Sequence, residues 1–199
     1  VFNAATYRAT PRDLALVAVF TALTAVLAMP TVTISGIAPI TLQTLGFMLA
    51  ASLLGFPWGG VSVALYVLLI VVGLPIGAGG RGGLAVLTGP TGGFLVGGIV
   101  GALVTGWLVD KWGRTNPLTV GLANIIGLVL IVYAIGLPWL GWRTGSGLFA
   151  KLTLGFQFVP GDLIKVVITS LVVVTVARAY PPIARRTVAL SKSAPEKRA

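Results

Sequence analysis

Two residues of opposite charge, Asp162 and Lys165, interrupt an otherwise apolar run, FQFVPGDLIKVVITSLVVV, from Phe156 to Val174. On a helix, residues three apart share a face. A carboxylate and an ammonium held side by side offer an acceptor and a donor at a set separation. That is chemistry for gripping a small polar group. Ionisable side chains at membrane depth usually face a cavity and mark a ligand or ion path. Each residue also has a plainer explanation. Pro160-Gly161-Asp162 reads as a helix start, where an aspartate is favoured by the positive helix end. Lys165 can snorkel its ammonium outward.

The rest of the chain supplies little other chemistry. It has no cysteine and no histidine, and its four acids are Asp13, Asp110, Asp162 and Glu196. This argues against a thiol nucleophile, a metal centre and a paired-carboxylate mechanism. No cofactor and no enzymatic reaction are expected. A membrane-embedded enzyme acting on lipid or prenyl substrates would need clustered acids or a metal site, and the chain has neither. There is no G-x-x-x-x-G-K-[ST] motif, so no ATP motor is carried here. Gly77, Gly79 and Gly82 spell G-x-G-x-x-G, but without a preceding strand or a later ribose-binding acid they read as backbone built for close approach. Arg81 is the only cation in that loop, placed to meet an anionic ligand or solvent. Gln43 and Thr41, near one end of an apolar segment, can bond another helix or a ligand's polar edge.

The elements that must position these residues are membrane helices. Of the 199 residues 56% are hydrophobic and only 9% charged, with a mean hydropathy of +1.01. That leaves too little polar surface for a water-soluble globule. Six apolar stretches stand out: Leu14–Met29, Ile40–Phe56, Val61–Leu74, Phe94–Val109, Leu118–Leu137 and Leu163–Ala177. Several fall short of the roughly 20 residues that span a bilayer. The expected fold is an all-α integral membrane protein, a six-helix bundle over residues 1–180, followed by a basic tail, 181–199. The first stretch lacks a small-residue cleavage site and reads as a retained span.

Six spans put both termini on one side, and basic residues choose it. Arg8, Arg12, Lys111, Arg114, Arg178, Arg185, Arg186, Lys192, Lys197 and Arg198 fall on the terminal side. Only Arg81, Arg143 and Lys151 fall on the other. Both termini are therefore expected in the cytoplasm. The net charge of +10 orients the protein in its membrane and does not point to nucleic acid. Two connections on the outer side, Gly73–Gly93 and Pro138–Gly161, exceed the usual two to eight residues between bundled helices. They read as a lid over a pocket. Gly93, Gly97 and Gly101 repeat every four residues, a stripe for close helix packing, and Ala18 and Ala22 form a second small-residue pair.

Four segments together resemble one family. APITLQTL at Ala38–Leu45, YVLLIVVGLP at Tyr66–Pro75, LTGPTGGFLVG at Leu87–Gly97 and PGDLIK at Pro160–Lys165 occur in the order and spacing of the BioY family, across roughly Leu14 to Tyr180. BioY proteins are the biotin-specific substrate-binding subunits, or S components, of energy-coupling factor (ECF) transporters. The resemblance implies a six-helix S-component bundle in the prokaryotic plasma membrane with an outward-opening, lidded pocket. The implied partners are biotin, a transmembrane coupling subunit and two ABC ATPases. The family's docking motif for the coupling subunit maps onto Ala18 and Ala22, and its charged ligand contacts map onto Asp162 and Lys165. Thr91, Gly92 and Gly93 can offer hydroxyl or backbone contacts, while Tyr66, Trp139 and Phe158 can wall the apolar ring. An S component for thiamine or riboflavin is the nearest alternative. A ligand-free assembly factor would lack a formed pocket around Asp162 and Lys165.

Overall fold

A computed structural model describes residues 9–32, 40–145 and 148–180, with the side chains of residues 148–157 outside the description. The tail at 181–199 and Lys151's side chain therefore lie outside the described residues. The helices are α1 (Pro11–Ala28), α2 (Gln43–Leu54), α3 (Trp58–Val72), the short α4 (Leu84–Thr88), α5 (Gly92–Trp112), α6 (Pro117–Asn124), α7 (Val132–Thr144) and α8 (Leu148–Ala179). A π-helical stretch, Ile125–Ile131, joins α6 to α7, so one continuous helix runs from Pro117 to Thr144. Thr31–Val32 (β1) and Ile40–Thr41 (β2) form a minimal antiparallel pair. Four helices, Pro11–Ala28, Gly92–Trp112, Pro117–Thr144 and Phe158–Ala179, are long and apolar enough to cross a membrane, while α2 and α3 are shorter and apolar. The chain is a predominantly helical membrane protein.

Local sequence accounts for the helix ends. Thr10 and Asp13 form a reciprocal capping box at the start of α1, with Pro11 in the first turn. This satisfies orphan N–H groups that would otherwise stay bare. Asn116 caps α6 by accepting from Leu118 N at 2.9 Å.

α5 is the central post. It packs against α2, α3, α7 and the π stretch, and its glycines set those distances. A Cβ on Gly97 would lie 3.0 Å from Val132 Cα, and one on Gly101 would strike the carbonyl of Gly127. Thr105 lines the same seam, its hydroxyl donating to Ala123 O at 3.2 Å, just before the π stretch. The main apolar core runs alongside, through Phe47, Met48, Tyr66, Ile70, Leu95 and Leu128. α1 closes on α2 where Thr24 meets Gly46. Its Thr21 bonds Ser62 O of α3 at 3.0 Å.

The second long connection is a correction. Residues expected to form a loop over Pro138–Gly161 are mostly helix: α7 continues to Thr144 and α8 starts at Leu148, leaving only Gly145–Gly147 between them. Gly145, at φ +66°, takes the left-handed conformation that ends α7. Pro160 lies within α8. Proline removes one backbone bond, which a packed membrane helix accommodates through its neighbours. Asp162 therefore stands well inside α8 and is not a cap at its start.

The two ends of the bundle differ. At one end the Arg12 guanidinium sits over the Tyr180 ring at 5.4 Å, joining the start of α1 to the end of α8. The same end holds Arg114, which is 1% exposed. It pairs with Asp110 and donates from Nε to Ser52 O at 2.8 Å. Asp110 also accepts from Phe56 N at 2.8 Å. The opposite end opens into a cavity.

Candidate functional site

α8 turns Asp162 and Lys165 inward together, with 4% and 7% exposure respectively. Lys165 Nζ lies 2.9 Å from Asp162 Oδ1. Thr44, on α2, ties the pair to a second helix: its hydroxyl donates to Asp162 Oδ1 at 3.1 Å and accepts from Lys165 Nζ at 2.8 Å. Tyr133, on α7, donates its hydroxyl to Asp162 Oδ2. Three helices thus converge on one carboxylate. A desolvated ion pair is tolerable only when its remaining donors and acceptors are largely matched in this way. The cluster carries no net formal charge. Lys165 uses two of its three N–H groups, and Asp162 takes three hydrogen bonds, which leaves each with capacity toward the cavity.

The cavity holds about 850 Å³ of empty space, its open mouth included. Its apolar walls are Phe47, Ile70, Val86, Phe94, Leu95, Val132 and Phe158, with Thr41, Gln43, Thr91, Gly77, Ala78 and Arg81 completing the lining. Phe94 and Phe158 face each other with ring centroids 6.3 Å apart. Mostly apolar walls with a few convergent polar groups are the usual composition of a small-molecule site. Among the described residues no group of three or more His, Cys, Asp or Glu could hold a metal.

The glycine loop closes one side. Gly77 N donates to Arg81 O at 2.8 Å, and Gly83 N donates to Ile70 O at 2.7 Å, pinning the loop to the end of α3. Gly79, at φ +65°, sits against Thr31 of the β pair. The G-x-G-x-x-G spelling therefore serves backbone closeness.

The BioY family matches residues 3–182 of the chain. The chain belongs to the BioY family. It is 41% identical over 179 residues to the biotin transporter BioY of Rhizobium etli, covering 85% of this chain and 95% of that protein. The biotin transporter BioY of Rhodobacter capsulatus is 40% identical over 181 residues, with the same two shares, 85% and 95%. A solved structure, the S-component for biotin from an ECF-type ABC transporter, superposes with a TM-score of 0.80 at 30% identity, covering 86% of this chain and 95% of that one.

Of the ten ligand residues assigned from the sequence of this BioY protein, six line the cavity: Asp162, Lys165, Gln43, Thr91, Phe158 and Arg81. The other four lie behind its wall. Tyr66 is fully buried, donates to Ile76 O at 3.0 Å and meets Phe47 edge to face at 5.8 Å. Trp139 donates Nε1 to Gly89 O at 2.9 Å, fastening the turn before α5 to α7. Gly93 packs under Trp139, and Gly92 under the backbone of Leu87. Sequence reasoning missed Thr44, Tyr133, Phe47 and Phe94. The signal for Tyr133 was available, as the only tyrosine in the run Leu118–Leu137. Thr44 and Phe47, three residues apart, share one face of α2. Ala18 and Ala22 sit exposed on α1, opposite its buried stripe of Val17, Thr21, Thr24 and Ala28.

Proposed function

We propose that this BioY protein captures biotin in the cavity and delivers it inward as the S component of an ECF transporter. The observation that carries the reading is the charge-balanced donor–acceptor cluster of Asp162, Lys165, Thr44 and Tyr133 in an otherwise apolar cavity. Biotin's ureido ring presents two N–H donors and one carbonyl. Asp162 accepts from a ureido N–H, and the spare N–H of Lys165 donates to the carbonyl. The fused sulfur ring lies among Phe47, Phe94 and Phe158. The relatives named above are biotin transporters, which supports this ligand over thiamine or riboflavin.

In this reading the chain forms six membrane-spanning helices, with the shorter α2 and α3 among them. The cavity opens outward and both termini lie in the cytoplasm. The contact of Arg12 with Tyr180, at the end opposite the cavity, is consistent with that arrangement. The chain has no ATP-binding motif, so energy comes from a coupling subunit and ABC ATPases. The exposed face of α1 around Ala18 and Ala22 is smooth enough for a coupling helix to approach closely. The subunit binds and releases and makes no covalent change.

Calorimetry of biotin on the detergent-purified protein tests the reading, beside Asp162→Asn and Lys165→Ala. Saturable one-to-one binding, weakened at least tenfold in both variants, is expected. A folded wild-type protein that leaves biotin unbound while taking up thiamine or riboflavin would move the assignment to another vitamin.

A further inference from the structure

We infer that a water molecule is bound inside the bundle between Thr169 of α8 and Asn124 of α6, away from the cavity, where it bridges two buried side-chain oxygens. The inference does not depend on which ligand the cavity takes.

Thr169 and Asn124 are both fully buried. Thr169 Oγ1 and Asn124 Oδ1 have no hydrogen-bond partner among the described residues. Buried polar atoms are almost always matched, by protein or by ordered water. A helical serine or threonine commonly donates to the carbonyl four residues back. Ser170 does so to Val166 O at 2.7 Å, and Thr24 to Phe20 O at 2.8 Å. Thr169 forgoes that bond. Asn124 spends its amide on Ser52 Oγ and Val120 O, each at 2.9 Å, and its carbonyl oxygen is the atom left over.

Helix packing puts both oxygens in one layer. Val120 packs with Val173, and Tyr133 bonds Asp162, so the helix Pro117–Thr144 runs antiparallel to α8. A Cβ on Gly121 would lie 3.3 Å from Ser170 Oγ, which fixes the same register. One turn forward from Val120 is Asn124, and one turn back from Val173 is Thr169. Ser52 of α2 closes the third side through its bond to Asn124.

The chemistry of the layer selects water. Asn124 Oδ1 can only accept, whereas the Thr169 hydroxyl can donate and accept. One water can donate to the first and exchange a hydrogen bond with the second, which gives it the two partners a buried water needs. A hard metal cation takes about six oxygens, several of them charged, and here two neutral ones are unmatched. The water completes a polar thread through apolar packing. Lys165 stands one turn from Thr169 on the same face of α8. Beyond the water come Asn124, Ser52 and Arg114, the last donating to Ser52 O at 2.8 Å.

An experimental density map of the wild-type protein, fine enough to show ordered water, tests this beside the melting temperature of Thr169→Val in detergent. A peak is expected within about 3.2 Å of both Thr169 Oγ1 and Asn124 Oδ1. Valine keeps the shape of threonine and removes the hydroxyl. If that hydroxyl holds a water, its loss should lower the melting temperature by about 3 °C or more. If both oxygens face a dry seam, valine should leave the melting temperature unchanged or raise it. That outcome would overturn the inference. So would a map without the peak, one with Thr169 bonded directly to Asn124, or a peak ringed by about six oxygens, as a cation would be.

Discussion

Tyr133 and Asp162 are joined by a hydrogen bond across the seam between α7 and α8, and that bond completes the carboxylate's surroundings. With Thr44 and Lys165 on Oδ1 and Tyr133 on Oδ2, the acid is held from three helices at once. Its orientation is set before any ligand arrives, and preorganisation of this kind lowers the ordering cost of binding.

Tyr133→Phe should therefore weaken biotin binding with little change in the shape of the wall. A hydrogen bond to a charged group contributes about 1.5–3 kcal/mol, so a loss of roughly tenfold or more is expected by calorimetry. Unchanged affinity would mean that the phenol only fills space.

The ion pair should contribute far more to recognition than to stability. Breaking it by Lys165→Ala leaves a buried carboxylate, a loss of about 3–5 kcal/mol, visible as a lowered melting temperature in detergent. The double replacement Asp162→Leu with Lys165→Met should recover most of that stability and bind no biotin. A double variant as unstable as the single one would show that the pair itself holds the bundle together.

At the far end, Arg114→Ala should destabilise the protein without changing which ligand it prefers. The side chain joins α5, the carbonyl of Ser52 on α2 and Asp110, and Gly55 leaves the room it occupies. Arg114→Lys should rescue little, because a single ammonium cannot copy the guanidinium fork. Thermal unfolding, with biotin and thiamine binding measured on the surviving folded fraction, checks both statements.

Ala18→Trp and Ala22→Trp should leave biotin binding intact, since both side chains point away from the core. They should abolish co-purification with the coupling subunit. Loss of biotin binding in either would place the α1 face inside the folding core and contradict the exposure.

Much of this was legible in the residues. The charge pair, the glycine stripe on α5 and the apolar runs carry strong physical constraints, and the folded chain uses them near the expected places. What misled were residues with two ordinary uses. Pro160-Gly161 commonly marks a helix boundary, yet here the helix passes through it because packed neighbours tolerate a missing backbone bond. Gly93 was expected at the ligand, yet it sits under Trp139, since an absent side chain serves packing as well as access. Tyr133 was overlooked because a tyrosine in an apolar run reads as wall until its hydroxyl finds Asp162 from another helix.

The π stretch at Ile125–Ile131 has a consequence for angular phase. Each residue of an α-helix advances the direction of its side chain by roughly 100°, and a π turn acts as one residue slipped into that count. Everything from Val132 onward is therefore clocked out of step with Val120 and Asn124. Forcing every residue of Ile125–Ile131 into regular α geometry would swing Tyr133 by roughly 100°, away from Asp162, whereas deleting one of them would take out the extra residue and leave Tyr133 facing the carboxylate. Without the π stretch the same sequence would form a helix just as apolar, but it would show the cavity a different face.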